Sequence, residues 1–94
     1  MVVKVRFVGS LRSSTQKNKL ELNFGKVVTV KEVVDRLVGK IPKLKNALVD
    51  IELNDPRPNV LILVNEKDIS VLNGLETKVK DGDDLVFIPI IHGG

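Results

Sequence analysis

The chain of 94 residues contains no cysteine, no tryptophan and no tyrosine. Without cysteine it can form no disulfide, no thiolate-ligated zinc site and no catalytic thiol of its own. Its single histidine is His92, and one imidazole without any thiolate is too few ligands for a transition-metal site. We therefore predict that this chain binds no metal.

Aromatic residues are also scarce, because only Phe7, Phe24 and Phe87 are present. Each lies in an apolar strand pattern, so no platform for base stacking is apparent and no direct nucleic-acid binding is expected. The net charge of +3 is unevenly spread, since residues 1–45 hold eleven Lys and Arg against three acids and residues 46–94 hold four against nine. Such an asymmetry can steer a protein partner.

Long hydrophobic runs are absent. The longest, Val60–Val64 and Leu85–Ile91, are far too short to span a bilayer, and the first residues do not form a signal peptide. We expect a cytoplasmic protein with no membrane association. Its length and 43% hydrophobic content suit one domain with a real core, residues 1–94, ending in a flexible tail at about 89–94.

The first half predicts a hairpin followed by a helix. Val3, Val5 and Phe7 alternate with basic residues, and a second alternating segment, Leu20 to Phe24, follows a long polar loop over residues 9–18. Thr29 and Glu32 fit a capping box that opens a helix ending near Gly39 and Pro42. Its apolar face comprises Val30, Val33, Val34, Leu37 and Ile41.

The second half predicts mainly strands. Residues 44–49 suit a short helical turn, and Ile69 to Leu72 suits a short edge strand. The continuous run Val60–Val64 suits a central strand that is covered on both faces or at least deeply placed. Asp81-Gly82-Asp83-Asp84 is a turn signal, and a catalytic role for its acids is disfavoured because no other ionisable cluster supports it. This order of elements predicts an α+β fold, with one mixed sheet and one main helix packed across one face.

The last strand, Leu85 to Ile88, runs into a terminus of two glycines, Gly93 and Gly94. Glycine has no Cβ, so such a tail can pass extended through a narrow channel and leaves its carboxylate accessible. Pro89 lacks a backbone donor and should mark the point where the strand leaves the sheet. We expect a partner to bind the residues around the tail, which are Ile88, Pro89, Ile90, Ile91 and His92; the alternative for Ile88 is a place in the core.

In their order along the chain, these segments resemble the ubiquitin-like sulfur carriers. The matching segments are Val3 to Arg12, Thr29 to Leu37, Val64-Asn65, Lys80 to Asp83 and Gly93-Gly94. The group includes the small subunit of molybdopterin synthase, the thiamine-pathway sulfur carrier and the ubiquitin-related modifier. Leu72 to Glu76 and the ending His92-Gly93-Gly94 resemble the ubiquitin-related modifier, whereas Pro89 is typical of the molybdopterin synthase subunit.

The resemblance implies the β-grasp fold, with the first and last strands parallel at the sheet centre. It implies a protein that is not an enzyme, whose Gly94 carboxylate is adenylated by a ubiquitin-activating-type enzyme that itself binds the ATP. A sulfur donor protein would then produce a thiocarboxylate for tRNA thiolation or molybdopterin synthesis, or Gly94 would be joined to lysines of target proteins. The alternatives are the molybdopterin synthase small subunit, with the large subunit as its partner, and an interaction module that is never conjugated.

Overall fold

The computed structural model describes residues 1–15 and 18–90, without the side chain of Ser14. In order, this part of the chain forms β1 (Val2–Phe7), α1 (Ser10–Thr15), β2 (Lys19–Asn23), β3 (Val28–Thr29), α2 (Val30–Lys40), α3 (Leu44–Leu48), β4 (Val60–Val64), β5 (Lys67–Asp68), β6 (Lys78–Val79) and β7 (Asp84–Pro89). Two 3-10 helices, Ile69–Val71 and Gly74–Glu76, lie between β5 and β6. The longest of these helices, α2, has 11 residues, and a bilayer span needs about 20, so no helix in this part could cross a membrane.

The main sheet has five strands in the order β2-β1-β7-β4-β5. β1 and β7 are parallel, and the other neighbouring strands are antiparallel. The first and last strands therefore lie side by side in the sheet interior, which confirms the expected β-grasp arrangement and the α+β class. β3 and β6 form a separate two-stranded pair.

Alternation along β1 and β7 decides which face of the sheet is buried. Val3 and Val5 of β1 and Leu85 and Phe87 of β7 are all fully buried on the same face. The α-helices contribute buried side chains to this one core, which include Leu11, Leu37, Leu44 and Leu48. The opposite side of the sheet, which we call the open face, therefore carries no helical layer from the described residues.

The capping box that begins α2 is present as predicted. The Thr29 hydroxyl accepts a bond from the Glu32 amide at 3.2 Å, and the Glu32 carboxylate accepts one from the Thr29 amide at 3.1 Å. Val30, Val33, Val34 and Leu37 of the predicted apolar face are buried. Packing against the sheet offsets the low helix propensity of the three valines.

The prediction of an irregular loop between β1 and β2 was wrong, because α1 occupies residues 10–15 of it. This helix has no clear apolar period, and Leu11 anchors it in the core with only 2% of its surface exposed. α1 packs against α3 and β7. Tertiary packing, and not local propensity, explains the helix.

Other elements also refine or correct the prediction. β4 is an interior strand one position from the edge, and only Val60, Ile62 and Val64 are buried, so it is deeply placed but not covered on both faces. Ile69–Val71 is a 3-10 helix instead of a strand, because the Asp68 side chain accepts a bond from the Ser70 amide at 2.8 Å and caps it. The two-residue strands β3, β5 and β6 were missed, since such short strands show no periodicity.

Candidate partner-docking site at the end of β7

We predicted that the last strand leaves the sheet at Pro89, but β7 stays attached to the sheet beyond that residue. Pro89 is the last residue of the strand and lies opposite Val60, and the Ile90 amide still donates to the Asn59 carbonyl at 2.9 Å. The sheet therefore fixes the backbone as far as Ile90. The remaining predicted site residues lie outside the described part of the chain, namely Ile91, His92, Gly93 and Gly94.

The turn after β1 supports this strand end. Gly9 has φ +62°, and a Cβ at this position would lie 3.3 Å from Cγ of Pro89, so the left-handed conformation and the close approach both favour glycine. The Val8 amide donates to the Phe87 carbonyl at 3.2 Å. These contacts fix the direction in which the chain leaves β7.

An apolar patch on the open face leads to this strand end. In the register of β4 and β7, Leu61 lies opposite Ile88 and Leu63 lies opposite Val86, and we call these four residues the open-face patch. Ile88 is partly exposed, whereas the neighbouring Phe87 is fully buried, so Phe87 belongs to the core and Ile88 to the open face. Ile90 extends the patch and is 40% exposed. Ile88, Pro89 and Ile90 therefore lie together at one end of the sheet.

Charged residues surround the patch. Arg6 lies beside Val86 and forms a salt bridge with Asp84 at 2.9 Å, while Lys4 and Lys19 are exposed on the same face. The acids of the turn before β7 are used structurally, as expected for turn formers. Asp81 accepts a bond from the Val2 amide and Asp83 accepts one from the Lys80 amide, both at 2.7 Å.

An ion pair missed by sequence reasoning lies next to Ile90. Arg57 donates to both carboxylate oxygens of Asp55, with a shortest distance of 2.6 Å. The side-chain bond from Arg57 lowers the pKa of Asp55 below its usual range. Arg57 and Ile90 line the same shallow pocket, together with Leu61, Ile69 and Gly74 among others.

Leu61 and Leu63 were also not predicted as site residues. β4 is a continuous apolar run, so its sequence does not show which residues point to the open face.

The central parallel strands, the capped helix across one face and the strand that ends at Pro89 define a ubiquitin-like protein of the β-grasp fold. The family model described as ubiquitin-related modifier matches residues 2–94. The chain belongs to this family of ubiquitin-like modifiers and sulfur carriers, whose members are acted on by enzymes and are not enzymes themselves.

Individual relatives agree with this assignment over nearly the whole chain. Ubiquitin-related modifier 1 of Schizosaccharomyces pombe is 30% identical, with 100% of both chains covered. The structure of small archaeal modifier protein 1 from Methanosarcina acetivorans is 31% identical, with a TM-score of 0.82, and covers 99% of this chain and 96% of that one. A chain of the BexX/CysO complex of Amycolatopsis orientalis is 31% identical, with a TM-score of 0.78, and the match covers 98% and 99%.

Proposed function

We propose that Gly94 is the reacting residue of this chain, and that a ubiquitin-activating-type enzyme adenylates its carboxylate in the cytoplasm. The observation that carries the proposal is that the family match extends to Gly94, while hydrogen bonds to the sheet hold the backbone as far as Ile90, four residues earlier. Four extended residues span at most about 14 Å. The enzyme must therefore place its ATP close to the end of β7 and dock on the adjoining surface.

The chemistry begins when a carboxylate oxygen of Gly94 attacks the α-phosphorus of ATP and releases pyrophosphate. The terminal sulfur of a persulfide on the donor protein then attacks the acyl carbon and displaces AMP, which leaves an acyl disulfide. A second thiol of that protein cleaves the S–S bond, forms a disulfide with the donor cysteine and releases the Gly94 thiocarboxylate. Both thiols must come from other proteins, because this chain has no cysteine.

The docking surface combines the open-face patch with the tail. Leu61 and Ile88 would contact the enzyme, while Ile91, His92 and Gly93 would occupy its channel. The similar chain of the A. orientalis complex is found in an assembly with another protein, which supports a protein partner here. In this proposal the chain binds no cofactor, since the activating enzyme supplies the ATP site.

The acceptor of the activated group defines the possible pathways. The thiocarboxylate sulfur can pass to a tRNA or to a molybdopterin precursor, and the activated Gly94 can instead form an isopeptide bond with a target lysine. Pro89 favours a second candidate, the small subunit of molybdopterin synthase. That role requires a stable complex with a large subunit, which co-purification from native cells would reveal.

The first test is the intact mass of the protein recovered from its native cells, before and after mild reduction. Replacement of one oxygen by sulfur at Gly94 establishes the carrier role, and a peptide joined from Gly94 to a lysine establishes the modifier role. Deletion of Gly94 should abolish ATP-pyrophosphate exchange by the activating enzyme while the fold stays intact. Unchanged exchange with this deletion, or with one residue added after Gly94, would contradict the proposal.

A further inference from the structure

The second strand has an open edge. β2 lies at one end of the sheet order, and no strand among the described residues pairs with its outer side. Directly opposite residues of an antiparallel pair alternate between bonded and non-bonded. Because the Phe7 amide donates to the Asn18 carbonyl at 2.8 Å, Leu20 and Leu22 also bond to β1. The outward backbone groups therefore belong to Lys19, Glu21 and Asn23.

One end of this edge is already occupied. Arg36 of α2 donates to the Asn23 carbonyl at 2.8 Å, and its guanidinium carbon lies 4.4 Å from the centre of the Phe24 ring. This contact satisfies one outward carbonyl and covers the end of the strand. Among residues 1–15 and 18–90, no strand pairs with the outward N–H and C=O groups of Lys19 and Glu21, so these groups can bond to a new strand.

The side chains of the two available residues are complementary to a second copy of themselves. Lys19 and Glu21 are exposed on the open face, and neither forms an ion pair within residues 1–15 and 18–90. When two β2 edges meet antiparallel with Leu20 opposite Leu20, Lys19 of each copy faces Glu21 of the other. Opposite charges directly across strands stabilise a pair, and like charges destabilise it. The two neighbouring registers on the same faces would place Glu21 opposite Glu21 or Lys19 opposite Lys19.

We propose that two copies of this chain associate through their β2 edges in this register, which makes one continuous sheet from the five strands of each copy. Each Lys19–Glu21 pair then exchanges both of its backbone hydrogen bonds, because the outward residues form the bonded pairs. β1 separates β2 from β7, so the open-face patch and the end of β7 in each copy lie away from the contact. The short contact predicts a weak, concentration-dependent dimer.

Cysteine crosslinking tests the register directly, because the natural chain has no cysteine. The Leu20 pair would be non-bonded, with its Cα atoms about 4.5 Å apart, a distance that a disulfide can bridge. Leu20→Cys oxidised with glutathione disulfide should therefore give a covalent dimer in much higher yield than Asn23→Cys, the matched control, which lies three residues from the centre of the pair and so far from its own counterpart. A folded Leu20→Cys protein that crosslinks no better than this control, or preferential crosslinking of Glu21→Cys, would overturn the proposal.

A charge exchange provides the second test without any change at Leu20. Lys19→Glu and Glu21→Lys each place like charges opposite one another in a homodimer, so each should weaken self-association several-fold in sedimentation experiments. An equal mixture of the two variants restores opposite charges at both pairs and should form a heterodimer. Recovery in the mixture supports the register, whereas two variants that self-associate as the natural chain does would overturn it. Neither outcome depends on activation of Gly94, so failure here is distinguishable from failure of the proposed function.

Discussion

Truncation of Ile90 is the sharpest test of the docking surface, because this side chain lies next to the tail and its backbone is fixed. Ile90 is 40% exposed in the free chain. Complete burial of such a side chain stabilises by about 1.5–3 kcal/mol, so covering the exposed 40% on docking would contribute about 0.6–1.2 kcal/mol. Since 1.36 kcal/mol is a factor of ten, Ile90→Ala should raise the KM of the activating enzyme for this chain by up to about three- to eightfold.

The assay is ATP-pyrophosphate exchange with the chain as the varied substrate. We expect kcat to change little, because Ile90→Ala leaves the Gly94 carboxylate and the bond from the Ile90 amide to Asn59 intact. Loss of kcat with an unchanged KM would indicate a role in the chemical step and refute a docking role.

Val27→Ala is the matched control for Ile90→Ala. Val27 is 49% exposed, so its truncation removes a comparable apolar surface. It follows β2, whose last residue, Asn23, lies beside Val2 at the start of β1, whereas Phe87 near the end of β7 lies beside Phe7 at the end of β1. Val27 thus lies near the opposite end of the sheet, and its truncation should leave both kinetic constants unchanged. An equal rise in KM for both variants would mean that general destabilisation, and not docking, causes the effect.

Three further predictions concern stability, measured by urea unfolding monitored by circular dichroism. Thr29→Ala removes the capping hydroxyl of α2 and should lower the free energy of unfolding by about 0.5–2 kcal/mol; an unchanged midpoint would contradict the role of the capping box. Gly9→Ala forces a side chain into the left-handed region and towards Pro89, and should cost at least about 1 kcal/mol; a neutral result would show that the turn relaxes freely. Because the fold lowers the pKa of Asp55, the ionised carboxylate contributes stability above the unfolded pKa of about 3.9, and this stability is lost as pH falls through the folded pKa. Asp55→Asn should therefore cost about 0–1 kcal/mol near neutral pH and progressively less in acid; a difference that grows in acid would contradict the stabilising role of the Arg57 pair.

Strong local patterns predicted the central parts of the fold. The alternation in β1, the capping box at Thr29 and the apolar face of α2 agree with the structure because local propensity and tertiary packing favour the same conformation there. The two-residue strands β3, β5 and β6 were missed because they carry too few residues for a period of two to be recognised. α1 was missed because Leu11 is its one apolar residue, so its sequence shows no apolar period, although Leu11 and Thr15 are both buried.

The docking surface was only partly predictable for a different reason. Ile88, Pro89 and Ile90 could be predicted because they directly precede the tail in the sequence. The strand order that brings β4 beside β7, in contrast, is a long-range property of the fold. Leu61 and Leu63 belong to the patch only because that pairing places them opposite Ile88 and Val86. A continuous run of five apolar residues is equally compatible with a strand that is buried on both faces.

The position of β7 explains how a partner can recognise both the fold and the terminus. A short glycine-containing tail offers few contacts, so an enzyme that bound the tail alone would accept many unrelated chains. β7 lies between β1 and β4, and hydrogen bonds to the sheet continue as far as Ile90. The open-face patch and the origin of the tail are therefore held at a fixed separation, so a partner that binds the patch delivers the terminal residues to one place. This coupling predicts that a grafted Gly-Gly terminus on an unrelated fold would be activated poorly, whereas a change at Leu61 would weaken activation of an intact terminus.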